Sequence, residues 1–286
     1  MRKTMILALL ASTACTPMAT QTPIADTADA APASEASDDY DLLAQREKIA
    51  RIDMNPDTSF LNDEQRQVVN LLIKASDLMS EIYIRQRDPW YPQDRTAISR
   101  SRIAIRDQLL DMYDLNFGPW DELAEGRPFW GTQEMPLGAN FYPTDMTREE
   151  FDAYLKAHPE QKEELTSLYT VVRRDGDRLK AVPYSVEYKQ WLEPAAQLLE
   201  KAAATTSNPS LKKFLTLRAN AFRTDDYFES ELAWMDLKDT PIEVAIGPYE
   251  VYTDRLYGAK AAFESFVTLK DPQESAALAK YKKYLK

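Results

Sequence analysis

The chain is poor in the residues on which most catalytic centres depend. Of its 286 residues one is cysteine, Cys15, which excludes an intrachain disulfide and a thiolate metal cluster. One is histidine, His158, followed by Pro159. A zinc hydrolase of the H-E-x-x-H type needs two imidazoles on one helix face and a glutamate base, and this chain does not supply them. A Ser-His-Asp triad would have to use His158 itself, whose setting, Lys156-Ala157-His158-Pro159-Glu160, reads as a solvated turn between helices. Only 7 glycines stand against 17 prolines, and neither G-x-G-x-x-G nor G-x-x-x-x-G-K-[ST] occurs, which removes nucleotide binding by those loops. Positive charge is also in deficit: 35 Lys and Arg against 46 Asp and Glu leave a net charge of −11. An acidic surface repels phosphate backbones, so nucleic acid is excluded as a partner.

What is present is globular. Hydrophobic residues make up 44% of the chain, enough to bury a core at this length. The first residues depart from that pattern. Arg2 and Lys3 precede an apolar run from Met5 to Ala11, too short to span a bilayer as a mature helix. Ser12, Thr13 and Ala14 then lead into Cys15, the order of a bacterial lipoprotein signal in which the cysteine becomes the acylated N-terminus. The alternative is an ordinary cleaved signal with an incidental cysteine. The expected organisation is a signal peptide over 1–14, a flexible tether over 15–38 built of Ala, Thr, Ser, Pro and Asp, and one folded region over 39–286. The expected location is the periplasmic side of the outer membrane through a lipid anchor at Cys15, or the soluble periplasm without lipidation.

From Asp39 the periodicity is helical. Asn62 with Gln65 reads as a capping box, and Val68, Leu71, Leu72, Ala75, Leu78, Met79 and Ile82 recur at three and four. A second helix is predicted from Thr96 to Asp114. Residues 116–146 carry no period but hold Phe117, Trp120, Phe129, Trp130, Phe141 and Tyr142, which cover a core or line a cleft. Thr147 and Glu150 suggest another capping box. Two β-prone runs around Asp175-Gly176 predict a hairpin over about 167–184. Helices follow from Ser185 to Ala204 and after Asn208-Pro209. Strands are expected at about 241–246, closed by Gly247-Pro248, and at 263–268, and a final helix from Asp271. The class is α+β, dominated by helix.

One run invites chemistry. If the chain stays extended past Pro248, Glu250 and Tyr252 point to the same side, so a carboxylate and a phenol meet. A carboxylate holds an amine and a phenol donates to a carbonyl; both residues also pack ordinary strands.

The segment from Arg223 to Val267 resembles the dipeptidyl-peptidase III family of zinc exopeptidases, particularly its shorter bacterial members. The matching elements are Asp226-Tyr227-Phe228 leading to Ala233-Trp234, the Ile-Gly-x-x-Glu-x-Tyr-x-Asp run from Ile246 to Asp254, and Gly258 followed by Phe263-Glu264-Ser265-Phe266-Val267. Gly138-Ala139-Asn140-Phe141-Tyr142-Pro143 and Asp145-Met146-Thr147 are similar to the bacterial members too. The resemblance implies that Glu250 helps bind the free amino end of a peptide and that Tyr252 hydrogen-bonds the scissile carbonyl as it becomes tetrahedral. It further implies that zinc belongs to a lobe this chain lacks, so that no metal ligand and no cofactor are expected within it. The resulting expectation is the substrate-facing half of a metallopeptidase releasing dipeptides from peptide N-termini, inactive as this chain alone. The alternative is a non-catalytic peptide-binding or structural lipoprotein of the cell envelope.

Overall fold

The computed structural model describes residues 40–282 and 284. The expected signal and tether, Cys15 included, lie outside these residues. Helix α1 (Leu42–Glu47) opens with the Asp41 carboxylate accepting from the Leu43 and Ala44 amides. The long α2 (Asp63–Arg87) begins with the expected box: Asn62 Oδ1 accepts from Gln65 N at 2.8 Å, and Gln65 Oε1 from Asn62 N at 3.0 Å. Asp63 and Glu64 at its start and Arg85 and Arg87 at its end complement the helix dipole. Val68, Leu72, Ala75, Met79 and Ile82 are fully buried, as their spacing required.

The predicted second helix is instead two, α3 (Gln93–Arg100) and α4 (Arg106–Asn116). Ser101 is extended, with ψ 155°, and ends α3. Ile103 and Ile105, two residues apart, both pack on the same apolar cluster, a spacing that suits non-helical chain. Beyond α4, β1 (Trp120–Asp121) and β2 (Arg127–Pro128) form a short antiparallel ribbon. Trp120, Phe129, Phe141 and Tyr142 are buried, so most of the aperiodic aromatics cover core.

Thr147 caps α5 (Arg148–Ala157), its hydroxyl accepting from Glu150 N at 3.1 Å. The Glu150 carboxylate turns to Arg174 instead of closing a reciprocal box. After α6 (Lys162–Leu165) the hairpin forms from β3 (Thr170–Asp175) and β4 (Arg178–Pro183), with Asp175 opposite Arg178 and Gly176 at φ +60° in the turn. Its paired part is shorter than predicted because residues 165–168 bond elsewhere, as described below. Then come α7 (Tyr184–Glu187), α8 (Lys189–Thr205), α9 (Pro209–Thr224), capped by Asn208, and α10 (Phe228–Met235).

The last sheet departs from expectation at a defined point. β5 (Ile242–Glu250) does not close at Gly247-Pro248 but runs through it, paired with β6 (Ala262–Leu269). Proline costs no ladder bond where its side of the strand faces no partner, and the pairing slips between Pro248 and Glu250. Gly247 sits at φ +147°, where an added Cβ would lie 2.5 Å from Arg218 Nη1. The guanidinium of that fully buried arginine donates to Ile246 O at 2.9 Å and to Glu231 at 2.6 Å, so glycine is the residue that lets β5 pass over it. α11 (Pro272–Lys282) follows, with Asp271 accepting from the amides of Gln273 and Glu274.

Two apolar clusters result. The larger joins α2, α8, α9, the hairpin and the inner face of β5–β6. The smaller joins α1, α3, α4 and Ile84 near the end of α2.

Candidate functional site

A cleft of about 310 Å³ opens where the two clusters meet. Tyr83 of α2 packs on the larger cluster and Phe117, just past α4, on the smaller. Their rings meet edge to face, centroids 5.0 Å apart, and form the cleft's apolar wall. The opposite wall is the β5–β6 ribbon. Alternation along β6 buries Phe263 in the core and turns Glu264 and Phe266 to the cleft side. β6 is registered on α2 by Ser265, whose hydroxyl lies 2.8 Å from that of Ser76, and by the buried Gln86. Gln86 Oε1 accepts from Phe263 N at 2.8 Å, and its amide donates to Ala261 O at 3.3 Å.

Glu250 and Tyr252, singled out in the sequence, both line this cleft. Glu250 ends β5 and is exposed, and Tyr252 follows on the connection to β6 with 68% of its surface open. Partial burial, then the nearby charges of Glu264 and Glu250, hold the Tyr252 hydroxyl protonated beyond the ordinary phenol range, so it is a donor. Burial and the charge of Glu250 raise Glu264 above the usual carboxylate range. The cleft thus offers two carboxylates and the phenol of Tyr252 against an aromatic wall that includes Tyr83. That arrangement suits an ammonium group with a carbonyl close by.

The sequence reading assigned neither Glu264 nor Tyr83 to a cleft, and it gave Phe117 as core cover or cleft lining. Glu264 lay within a recognised run but was read only as strand, although its alternation with Phe263 places it on the cleft side. Tyr83 falls outside the main apolar stripe of α2. Phe117 was grouped with residues that mostly cover core, and it reaches the cleft because it caps α4 in the left-handed conformation, φ 50°.

The connection after β5 is tied by Asp254, which is 3% exposed. Its carboxylate accepts the amides of Leu256, Tyr257, Ala259 and Lys260 at 2.9–3.2 Å and the Tyr142 hydroxyl at 2.9 Å. His158, by contrast, ends α5, stacks on Tyr154 with centroids 4.3 Å apart and lies 3.5 Å from Glu160, and it does not line the cleft. The residues present do not fit a catalytic zinc: among the described residues no group of three His, Cys, Asp or Glu converges on a point that could hold a metal.

Residues 143–283 match peptidase family M49. The structure of dipeptidyl-peptidase III from Caldithrix abyssi is 48% identical and superposes with a TM-score of 0.81, over 85% of this chain and 46% of that one. The enzyme from Corallococcus sp. strain EGB is 38% identical with a TM-score of 0.80, over the same shares. Nudix hydrolase 3 of Arabidopsis thaliana is 29% identical over 289 residues, 83% of this chain and 37% of that protein. The chain therefore spans less than half the length of each of these relatives. With its fold and these similarities, the chain belongs to the dipeptidyl-peptidase III family, peptidase family M49.

Proposed function

We propose that this chain is the substrate-facing half of a dipeptidyl-peptidase III-like metallopeptidase and that it holds the amino end of a peptide in the cleft between Tyr83 and β6. The observation that carries this reading is the convergence of Glu250, Glu264 and the protonated Tyr252 on one cleft. Glu250 pairs with the peptide's ammonium. Tyr252 donates to the oxygen of the scissile carbonyl, whose negative charge grows as it is attacked. No step is assigned to a metal here, because one histidine cannot build the site. In this reading the chain alone binds peptide without cleaving it.

The direct test is turnover. The purified chain is expected to release no dipeptide from a chromogenic dipeptidyl substrate, with or without added zinc. Release that a chelator abolishes and zinc restores would overturn this division of labour. In an active enzyme made by joining the chain to a family zinc lobe, Tyr252→Phe should lower turnover about a hundred- to a thousandfold with affinity nearly intact. Glu250→Gln should weaken binding as well.

From the signal-like run that leads into Cys15 we further propose that acyl chains on this residue hold the protein on the periplasmic face of the outer membrane. None of the described helices is long and apolar enough to cross a membrane. Several acyl chains on one residue anchor stably where one would not. Fractionation of cells carrying Cys15→Ala tests this: the mature variant should move to the soluble fraction, and an unchanged membrane share would refute lipidation.

A further inference from the structure

Residues 251–261 join β5 to β6, and Glu250 and Ala262, which flank this connection, line the cleft together with Tyr252. The Tyr252 hydroxyl makes no hydrogen bond among the described residues, so what the fold fixes is the backbone position from which this side chain leaves. That backbone behaves as one body. Asp254 gathers four of its amides, Asp254 N donates to Val251 O at 3.0 Å, and Gly258 N to Asp254 O at 3.1 Å.

What fixes this body to the rest of the fold is Lys260. Its side chain is fully buried, and its ammonium donates to Leu165 O at 2.7 Å, Ser167 O at 2.8 Å and Thr170 Oγ1 at 2.9 Å. The adjoining Ala261 N donates to Leu168 O at 3.0 Å. Only a protonated lysine carries three N–H donors, and here each has an acceptor. None of the three acceptors is a carboxylate. Burial pushes the ammonium down to about 7 against the attraction of Asp254 on the same loop. A buried cation held by neutral oxygens costs stability that an apolar side chain of like length would spare. Its gain is directional: three bonds to one turn leave the loop a single seat.

We infer that Lys260 is a positioning residue, its ammonium seated on the 165–170 turn so that the 251–261 loop carries Tyr252 to the cleft from one backbone position. The peptide part of the test rests on the proposed function; the exchange part does not. In the full chain, Lys260→Met should speed hydrogen exchange at amides 251–261 while leaving those of 244–246 in β5 unchanged. Because displacing the Tyr252 ring, which Tyr252→Phe keeps, removes its contact with the bound peptide, binding of tetra-alanine should weaken about tenfold, and the loss should vanish in a Tyr252→Ala background. Lys260→Arg, which keeps the charge and the donors, should restore most of the affinity. Thr170→Val, which removes one acceptor, makes the same comparison if Lys260→Met does not fold. Equal losses with and without Tyr252, or unchanged exchange at 251–261, would overturn the inference. If the wild-type chain binds no tetra-alanine, the peptide reading fails and exchange at 251–261 alone decides for or against Lys260.

Discussion

The two apolar clusters are held by different means. The larger is chiefly a packing of helix stripes, Val68, Leu72, Ala75 and Met79 of α2 meeting Ala195, Ala196 and Leu199 of α8, with Arg218, Asp254 and Lys260 as its buried polar anchors. The smaller has few large aliphatics, Leu42, Ile84, Ile98 and Leu109 among them, and relies on buried or half-buried polar pairs. Tyr113 donates to Asp88, Arg87 pairs with Glu122, Arg46 with Asp111, and Tyr40 donates to Asp121 at 3.0 Å. Apolar packing tolerates small shifts because each contact contributes little, whereas a buried polar pair fails when one partner is lost. The cleft lies between the two kinds of interior, with a wall from each.

The comparison is broken most severely from the apolar side. Leu72 is fully buried at the centre of α2, and Leu72→Ala should cost about 2–5 kcal/mol through lost burial and the cavity left behind. Urea unfolding measures it. The loss should appear as lowered hydrogen-exchange protection in α8 and α9, and protection there unchanged would mean that the larger cluster does not carry the stability.

A smaller effect is expected on the polar side. Tyr113→Phe removes the donor to the buried Asp88 carboxylate and should cost about 1–3 kcal/mol. Its loss should be local, raising exchange in α3 and α4 while α8 and α9 keep their protection. Loosening spread evenly over both regions would show that the clusters open together.

The smallest effect is a pH dependence confined to the same region. Burial, then the charge of Asp88, raise the Asp94 carboxyl to about 6 in the fold, above its ordinary 3.8. The folded state therefore holds this proton more tightly. The stability it contributes is fully present below the unfolded value and is lost as pH rises through 6. Asn at this position cannot ionise, so Asp94→Asn should raise the melting temperature relative to wild type at pH 7 and leave the two equal near pH 4. A gain of the same size at both pH values would assign the effect to something other than ionisation.

The same contrast explains what could be read from the sequence. Where helices present a continuous apolar stripe, as in α2, α8 and α9, spacing and caps located them to within a few residues, Asn62 and Asn208 included. The region from Pro92 to Arg106 misled because Ile98 and Ile105 are spaced as on one helix face, although the chain between them unwinds onto the smaller cluster. Gly247-Pro248 was read as a strand end because local propensity cannot see Arg218, which requires the glycine from 28 residues earlier in the chain (Arg218 to Ile246 by hydrogen bond). Of the site, Glu250 and Tyr252 were legible through their resemblance to the family run. Glu264, Tyr83 and Lys260 were not, since their positions in or around the cleft arise from pairing between β5 and β6 and from packing against α2 and the 165–170 turn.

The central claim, that this cleft holds the charged amino end of a peptide, is tested most directly by calorimetry on the full chain with tetra-alanine and its N-acetylated form. A hydrogen bond to a charged group contributes about 1.5–3 kcal/mol, so the free amine should bind roughly ten- to a hundredfold more tightly than the acetylated peptide. Glu250→Gln should remove most of that preference. Equal affinity for the two peptides, or a preference that survives Glu250→Gln intact, would contradict the account.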